Sequence, residues 1–392
     1  MSAGEQRSVV IVGAGQGGVT AAVSLRENGW TGAIHVIGDE ADTPYQRPPL
    51  SKGYLNGSSG TNELLLRSLE QFRRDEIDLR LGVKAESLDR SARRLVLSDG
   101  NELEYDALIL ATGSSARKLD IPGAELDGVH AIRTIADADA LRSEFAGAER
   151  VLIIGAGFLG LEVASQAVKS SEVLVLEFAP QILGRVLSRE MAEAIEQRHA
   201  ESGVEIRCGA HVEELIGIDG RVNAAVLSNG ERISVDSVVV SVGGVARDEL
   251  ARSAGLAIDG GIVVNDRLVT SDSSVFAIGD CAKYPNVYAG TEMRVESVQN
   301  ATDQARYVAK TLTGGNASGY MSVPWFWSSQ GTWKLQIAGI AMPADEARVA
   351  EKTEGGRLVV ERLRDGRVIA VETIDAPASH MKARKHLAGL FG

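Results

Sequence analysis

Residues 151 to 162 read VLIIGAGFLGLE: an apolar run, the glycine turn Gly155-Ala156-Gly157, then Phe158-Leu159-Gly160. A short apolar run that breaks into closely spaced glycines and resumes as an apolar helix is a strand, a tight turn and a helix start. That form lets backbone approach a dinucleotide pyrophosphate while the free N–H groups of the helix end face its charge. Residues 9 to 18, VVIVGAGQGG, make the same device near the start of the chain. A lone motif of this kind is weak, but both copies have the required context. Val9 to Val12 read as a strand, Val19 to Asn28 as a helix closed by Gly29, and Ala33 to Glu40 as the next strand. Leu159 to Lys169 and EVLVLEF repeat the helix and strand after the second turn.

Each unit then ends its second strand in an acid. Asp39 lies 26 residues past Gly13, and Glu177 lies 22 past Gly155. A carboxylate there can accept both hydroxyls of an adenosine ribose and repels a 2′-phosphate. Two such sites in one chain imply two dinucleotides, a flavin (FAD) and a nicotinamide, with NADH favoured over NADPH. An exposed strand-end acid is the plainer alternative at both positions.

The rest of the chain bounds this reading. It has 392 residues, 44% hydrophobic and 24% charged, enough for two or three domains with their own cores. With 41 Lys plus Arg against 53 Asp plus Glu, the net charge is −12, which argues against nucleic acid and anionic membrane. Only Cys208 and Cys281 occur, so there is no disulfide framework. MSAGEQRSVV has no signal-peptide pattern and no apolar run approaches the ~20 residues of a spanning helix, so the expectation is a soluble cytoplasmic protein. TPYQRPPLSKGYL reads as an irregular loop because of its prolines. Asp106 to Arg117 reads as a buried strand ending in a Thr-Gly turn, Ser188 to Ser202 as a long helix, and Ser274 to Ala282 as a strand ending in Gly-Asp. A helix follows in ESVQNATDQARYVAKTL. After Thr313 to Gly319 the pattern changes to antiparallel strands (KLQIAG, RLVVERL, RVIAVETI) and a closing helix from about Ala378 to Leu387. The only internal repetition evident is the pair of strand–helix–strand units.

The chain resembles the two-dinucleotide flavoprotein reductases of the pyridine nucleotide-disulfide oxidoreductase superfamily. Within them it is most similar to the ferredoxin reductases of oxygenase systems, the family of putidaredoxin reductase and biphenyl dioxygenase ferredoxin reductase. The resemblance spans essentially the whole chain and is carried by VIVGAGQGG, RPPLSK (Arg47 to Lys52), LILATG, VLIIGAGFLGLEVA, SVFAIGDCA, RVESVQNA and PWFWSSQ (Pro324 to Gln330). RPPLSK and PWFWS are specific to this branch.

The resemblance implies an α/β fold of two Rossmann-like domains plus a C-terminal α+β domain. The FAD-binding domain would be discontinuous, residues 1–116 and 246–319, around an NAD-binding domain at 117–245, with the C-terminal domain at 320–392. On the FAD side it implies Gly13, Gly15, Gly17 and Gly18 at the pyrophosphate, Asp39 at the ribose, Ala85 at the adenine, and Arg47, Ala111, Thr112, Gly113, Arg133 and Gly279 around the cofactor. Asp280 would take the ribityl hydroxyls, Val298 would offer its N–H to the flavin, and Lys52 and Trp325 would lie by the ring. On the NADH side it implies Gly155, Gly157, Leu159, Gly160 and Gly243, with Glu162 facing the nicotinamide, pairing with Lys52, and Glu177 at the ribose.

The residues alone leave plainer readings open. Asp280 could cap a helix, Glu162 could serve a helix dipole, Lys52 could be an exposed cation, and Trp325 and Trp327 could be core aromatics. The chain also departs from the family pattern, with Ser329 where relatives commonly carry Asp, Ala246-Arg247 for Pro-Asn, Ser274 for Pro, and Gln181 for Arg.

The implied reaction is hydride from NADH to FAD, then single electrons to a [2Fe-2S] ferredoxin feeding an oxygenase, by a monomer or homodimer. No metal is expected in the chain itself. A disulfide reductase would need two neighbouring cysteines by the flavin, and none precedes Cys208. An NADH oxidase delivering electrons to oxygen, and a non-enzymatic flavoprotein scaffold, stay open. The tail APASHMKARKHLAGLFG holds Lys382, Arg384 and Lys385 with no acid, a candidate dock for an acidic carrier, or an ordinary solvated helix face.

Overall fold

The computed structural model describes residues 7–315 and 318–391. The apolar strand Ser8–Val12 is buried because it is the middle of a parallel sheet, order Val275–Ala277, Ala107–Leu110, Ser8–Val12, Ala33–Gly38, Asp78–Leu81. A second parallel sheet repeats this around Arg150–Ile154, in the order Val204–Cys208, Glu172–Glu177, Arg150–Ile154, Ser237–Val240, Val129–His130. Near-continuous Val, Ile and Leu suit strands covered on both faces.

The repetition extends well past the two strand–helix–strand units. In each sheet the chain goes on through a helix (Leu69–Arg74 or Arg189–Glu201) to the next strand, Asp78–Leu81 or Val204–Cys208. It then makes a three-stranded antiparallel meander, Ala85–Asp89 to Glu102–Glu104 in one case and Val212–Ile218 to Arg232–Ser234 in the other. It returns as the inner strands Ala107–Leu110 and Ser237–Val240. Both then turn on a positive-φ glycine, Gly113 (+72°) and Gly243 (+102°), into crossing strands Ser114–Ala116 and Gly244–Ala246 that pair with each other. The whole module is duplicated.

Several expected boundaries move. The first helix begins at Gln16, three residues before the expected Val19, because Gly15 caps it and Gly17-Gly18 sit inside its first turn. The strand expected to end in the Thr-Gly turn does so, spanning Ala107–Leu110 before Gly113, and a second strand, Ser114–Ala116, follows the turn. Ser274–Ala282 is a three-residue strand followed by the 3-10 turn Gly279–Cys281. Pro48–Ser51 forms a 3-10 helix inside the proline loop, which prolines tolerate in a first turn. The part of the expected linker at 316–317 lies outside the described residues.

The C-terminal region is a five-stranded antiparallel sheet, order Trp325–Gln330, Trp333–Gly339, Arg367–Ile374, Leu358–Arg364, Glu346–Lys352. The helix Pro377–Phe391 covers one face. The other face shares a core with the second module, where Trp333, Leu335, Ile337 and Val360 pack with Leu161, Met191 and Ile195. Each such buried side chain contributes about 1.5–3 kcal/mol. A buried ion pair, Arg362 to Glu372 at 2.7 Å, ties this sheet to Ser188, whose backbone N–H donates to Glu372 Oε1 at 3.0 Å. Removing one partner of such a pair typically costs about 3–5 kcal/mol.

Candidate functional site

A cavity of about 2710 Å³ runs between the two modules and under the first strand of the C-terminal sheet. Both glycine turns open into it. At the first, Gly13 has φ +114° and donates its N–H to Ile37 O at 2.8 Å, and a Cβ built on it would meet Ala111 O at 2.1 Å. At the second, Gly155 has φ +105° and donates to Leu176 O at 2.7 Å, and a Cβ would meet Ser241 O at 2.4 Å. Beside them, a Cβ on Gly15 would meet nothing within 4 Å. Gly15 and Gly157 are N-caps with no side-chain bond to the helix, so the first N–H groups keep their capacity for an anion. An open cradle over an uncapped helix start fits a pyrophosphate at both turns.

Gly18 and Gly160 do not line the cavity. A side chain on Gly18 would meet Gly13 O at 1.8 Å, and one on Gly160 would meet Gly155 O at 2.2 Å. These two glycines set the close approach of helix to turn and are buried beneath it.

Where the modules meet, the proline loop brings Lys52 to the second module's helix. Lys52 Nζ lies 2.5 Å from Glu162 Oε2 and also donates to Pro48 O at 3.0 Å. Glu162 is 5% exposed, yet fully satisfied: Ser51 Oγ donates to Oε2 and Ser328 Oγ to Oε1, each at 2.6 Å. A buried carboxylate with three donors from two regions, the proline loop and the first strand of the C-terminal sheet, is fixed in place, and it holds the lysine at the cavity wall. Ser51 and Ser328 were not singled out from the sequence. Ser51 lay inside the quoted RPPLSK, but serine carries no periodic signal.

Ser329 departs from the family pattern beside Ser328, but strand alternation turns it away from Glu162. Phe326, Ser328 and Gln330 face the second module, with Phe326 4.4 Å from Phe158 and Gln330 Oε1 2.7 Å from His199 Nε2. Trp325 and Trp327 face the other way, 5.3 Å apart, and the Arg384 guanidinium lies 4.2 Å over the Trp325 ring. The tail is therefore more than a solvated face: Lys382 and Lys385 are exposed, but Arg384 is half-buried on an aromatic that lines the cavity.

At the inner end, Asp280 accepts from Arg133 Nη2 at 3.1 Å and from Ser114 Oγ at 3.2 Å. It does not cap a helix by its side chain. Val298 opens the helix Val298–Leu312, which Ser297 caps, so the Val298 N–H at the cavity has no partner within the helix. Arg47 lines the cavity, paired with Glu40 and lying over the Tyr45 ring. Ala85, Ala111, Thr112, Gly113, Gly279, Leu159 and Gly243 line it as well.

The two strand-end acids differ. Asp39 Oδ2 accepts from Arg247 Nη2 at 2.6 Å, and this contact helps hold its carboxyl below the usual range against the opposing effect of burial. Glu177 accepts from two backbone N–H groups, Ala156 at 2.7 Å and Ala179 at 2.9 Å, and has no ion pair among the described residues. Next to it Phe178 is 73% exposed and meets His211 edge-on at 5.4 Å, both lining the cavity. Neither was singled out from the sequence. A Phe directly after the strand-end acid was the available signal.

Neither thiol reaches the cavity. Burial pushes both up from the ordinary cysteine value, Cys281 wholly enclosed and Cys208 further raised by Glu196 and Glu177. Among the described residues, no helix is long and apolar enough to cross a membrane.

Residues 7–305 match the family model for pyridine nucleotide-disulphide oxidoreductases, and residues 325–389 match that for the reductase C-terminal domain. The chain is 44% identical to the rhodocoxin reductase of Rhodococcus erythropolis, over 97% of this chain and 89% of that one. It is 38% identical to a rubredoxin-NAD(+) reductase of Pseudomonas putida, over 94% of this chain and 96% of that one. Among solved structures it resembles the reductase in the covalent putidaredoxin reductase–putidaredoxin complex, with a TM-score of 0.92 and 34% identity, over 97% of this chain and 93% of that one.

Proposed function

The chain belongs to the pyridine nucleotide-disulphide oxidoreductases, as an FAD- and nicotinamide-dependent reductase of the ferredoxin-reductase kind, and from that premise we propose that it takes hydride from NADH and delivers single electrons to a [2Fe-2S] ferredoxin that serves an oxygenase. The observation that carries this reading is the Lys52–Glu162 pair, which joins the two modules on the wall of the cavity that both glycine turns line and that neither cysteine reaches. Without a redox-active cysteine, electrons must leave for an external carrier.

When bound, FAD supplies the chemistry that turns a two-electron hydride into single electrons. The protein's part is to hold and orient. Gly13, Gly15 and Gly17 would seat the FAD pyrophosphate, Asp39 the ribose and Asp280 the ribityl hydroxyls. Gly155 and Gly157 would seat the NADH pyrophosphate and Glu177 its ribose. Lys52 sets a positive charge where electron density arrives, and Glu162 keeps it there. Such preorganised charge is worth ~10²–10³ in rate.

We place the acceptor's dock over Trp325. This ring borders the main cavity and also a surface hollow of about 490 Å³, lined by Tyr288, Met321, Met381, Arg384 and Lys385. Met321 and Met381 are exposed, and the cations of the tail favour an acidic carrier. Asp303 on its wall is engaged by Ser322 at 2.6 Å. Similarity to a rubredoxin reductase favours one second reading, rubredoxin as the acceptor.

Anaerobic stopped-flow tests all of this. NADH should bleach the flavin fast, and a [2Fe-2S] ferredoxin should restore it faster than rubredoxin or air. Fast reoxidation by air would leave an NADH oxidase, and preference for rubredoxin would replace the ferredoxin. Reversing Lys382 and Lys385 to Glu should raise the KM for ferredoxin and leave that for NADH unchanged.

A further inference from the structure

The arginine on Asp39 has no counterpart at Glu177, although the fold builds a matching position for one. The crossing strands bind each other reciprocally: Arg247 N donates to Gly113 O at 3.0 Å, and Arg117 N donates to Gly243 O at 2.9 Å. Each module thus receives one arginine from the other's crossing. Arg117 is exposed and forms no ion pair among the described residues, whereas Arg247 is folded onto Asp39. The Arg247 backbone is fixed a second time, because Thr112 Oγ1 donates to its carbonyl at 2.6 Å. Thr112 and Gly113 themselves line the cavity, so the arginine is anchored to the wall it guards.

What lies around Arg247 gives its ligand. Val83 N bonds Gly38 O at 3.0 Å, which brings the strand beginning at Ala85 beside Asp39. The helix Glu249–Ser253, directly after Arg247, packs on that same strand. Asp39, Ala85, Arg247 and Leu250 therefore form one end of the cavity, a carboxylate with apolar walls and a planar cation. That is the chemistry that recognises an adenosine, with the ribose on the acid and the base against the flat guanidinium and alkyl surface. Arg247 occupies one carboxylate oxygen and leaves Oδ1 with no side-chain partner among the described residues.

We infer that Arg247 is a positioning residue that acts through Asp39 to lock the adenosine half of the first dinucleotide, so that FAD is retained as a resident cofactor. This rests on the reading of the first site as the FAD site. Arg247 orients the carboxylate for the ribose and closes the adenosine end with the returning chain, a segment 208 residues away from Asp39 in sequence.

Apoprotein titrated with FAD, ADP and FMN tests it, since ADP carries only the adenosine half and FMN lacks it. In Arg247→Ala, FAD and ADP should both bind about 10–100-fold more weakly, the range for a hydrogen bond to a charged group, while FMN binding stays unchanged. Arg247→Lys should recover part of the loss, because lysine keeps the charge without the fork. Unchanged FAD and ADP affinity would overturn the inference. Equal weakening of FMN would overturn it too, by making Arg247 a general tie of the fold, and Arg247→Gln separates that case if Arg247→Ala fails to fold. If wild-type apoprotein takes up no FAD, the reading of the first site fails instead.

Discussion

The two glycine turns are nearly the same object. Gly13 and Gly155 share a left-handed φ, the same backbone bond to the neighbouring strand and the same contact with the strand on the other side. They differ beyond the turn, at the acid. Asp39 is paired with an arginine from the opposite crossing, whereas Glu177 has no cation partner among the described residues and is steadied by N–H groups of its own module. A paired, closed end suits a cofactor that stays, and an open anionic end suits a substrate that must leave and that must not carry a 2′-phosphate. On the proposed reading, one duplicated module would serve a resident and an exchanging dinucleotide through a few side chains at its rim.

The largest expected effect is at the turns themselves. Gly13→Ala puts a methyl 2.1 Å from a backbone oxygen, and Gly155→Ala puts one 2.4 Å from another, so neither fits without backbone movement. Each should cost at least about 2 kcal/mol of its ligand's binding, combining overlap with strain at positive φ. Gly13→Ala should emerge from purification short of flavin. Gly155→Ala should hold flavin and show a raised KM for NADH. If both lose flavin alike, the two turns do not divide the labour as argued.

Next is the pair that joins the modules. Lys52→Met should slow flavin reduction at saturating NADH by roughly 10²–10³. Glu162→Gln should slow it less, since Ser51 and Lys52 can still meet the amide oxygen while the Ser328 hydroxyl can turn to accept from the amide N–H. Stopped-flow traces at the flavin band measure both, and unaltered rates would make the pair a structural bolt.

A smaller effect sharpens the contrast between the acids. Glu177→Gln removes the charge that opposes a 2′-phosphate, so the ratio of kcat/KM for NADH over NADPH should fall by about tenfold, or ~1.4 kcal/mol. Asp39→Asn should leave that ratio untouched. A shift from Asp39→Asn of the same size would mean that the nicotinamide site had been assigned to the wrong module.

The smallest effect concerns the thiols, one in each module. Burial raises both pKa values, so at pH 7 both stay protonated and poorly nucleophilic. The double variant Cys208→Ser, Cys281→Ser should reduce dye and ferredoxin within a few-fold of wild type. Collapse of turnover in a folded, flavin-loaded double variant would restore the disulfide chemistry that gives the superfamily its name.

Much of this was legible in the chain. Glycine turns between apolar strands and helices have few other uses, because backbone conformation at positive φ is a local property that sequence states directly. The acids at the strand ends followed from spacing alone, and so did the absence of a cysteine pair. What reads least well is contact between segments far apart. Ser51 and Ser328 meet Glu162 from 111 and 166 residues away, and neither has a pattern that announces it. Helix starts were misjudged where glycines replace the usual capping residues.

The sequence by itself pointed to two dinucleotide-binding turns, since each rests on residues within about 30 positions of one another, while their order came from the family resemblance. Tertiary structure alone decided that the entire module is duplicated, because meanders and crossing strands diverge in sequence while backbone pairing keeps their path. It also decided which acid acquires a cation. Arg117 and Arg247 are both arginines on reciprocal crossings, and nothing local distinguishes them; only the packing of the returning chain folds one onto Asp39 and leaves the other in solvent.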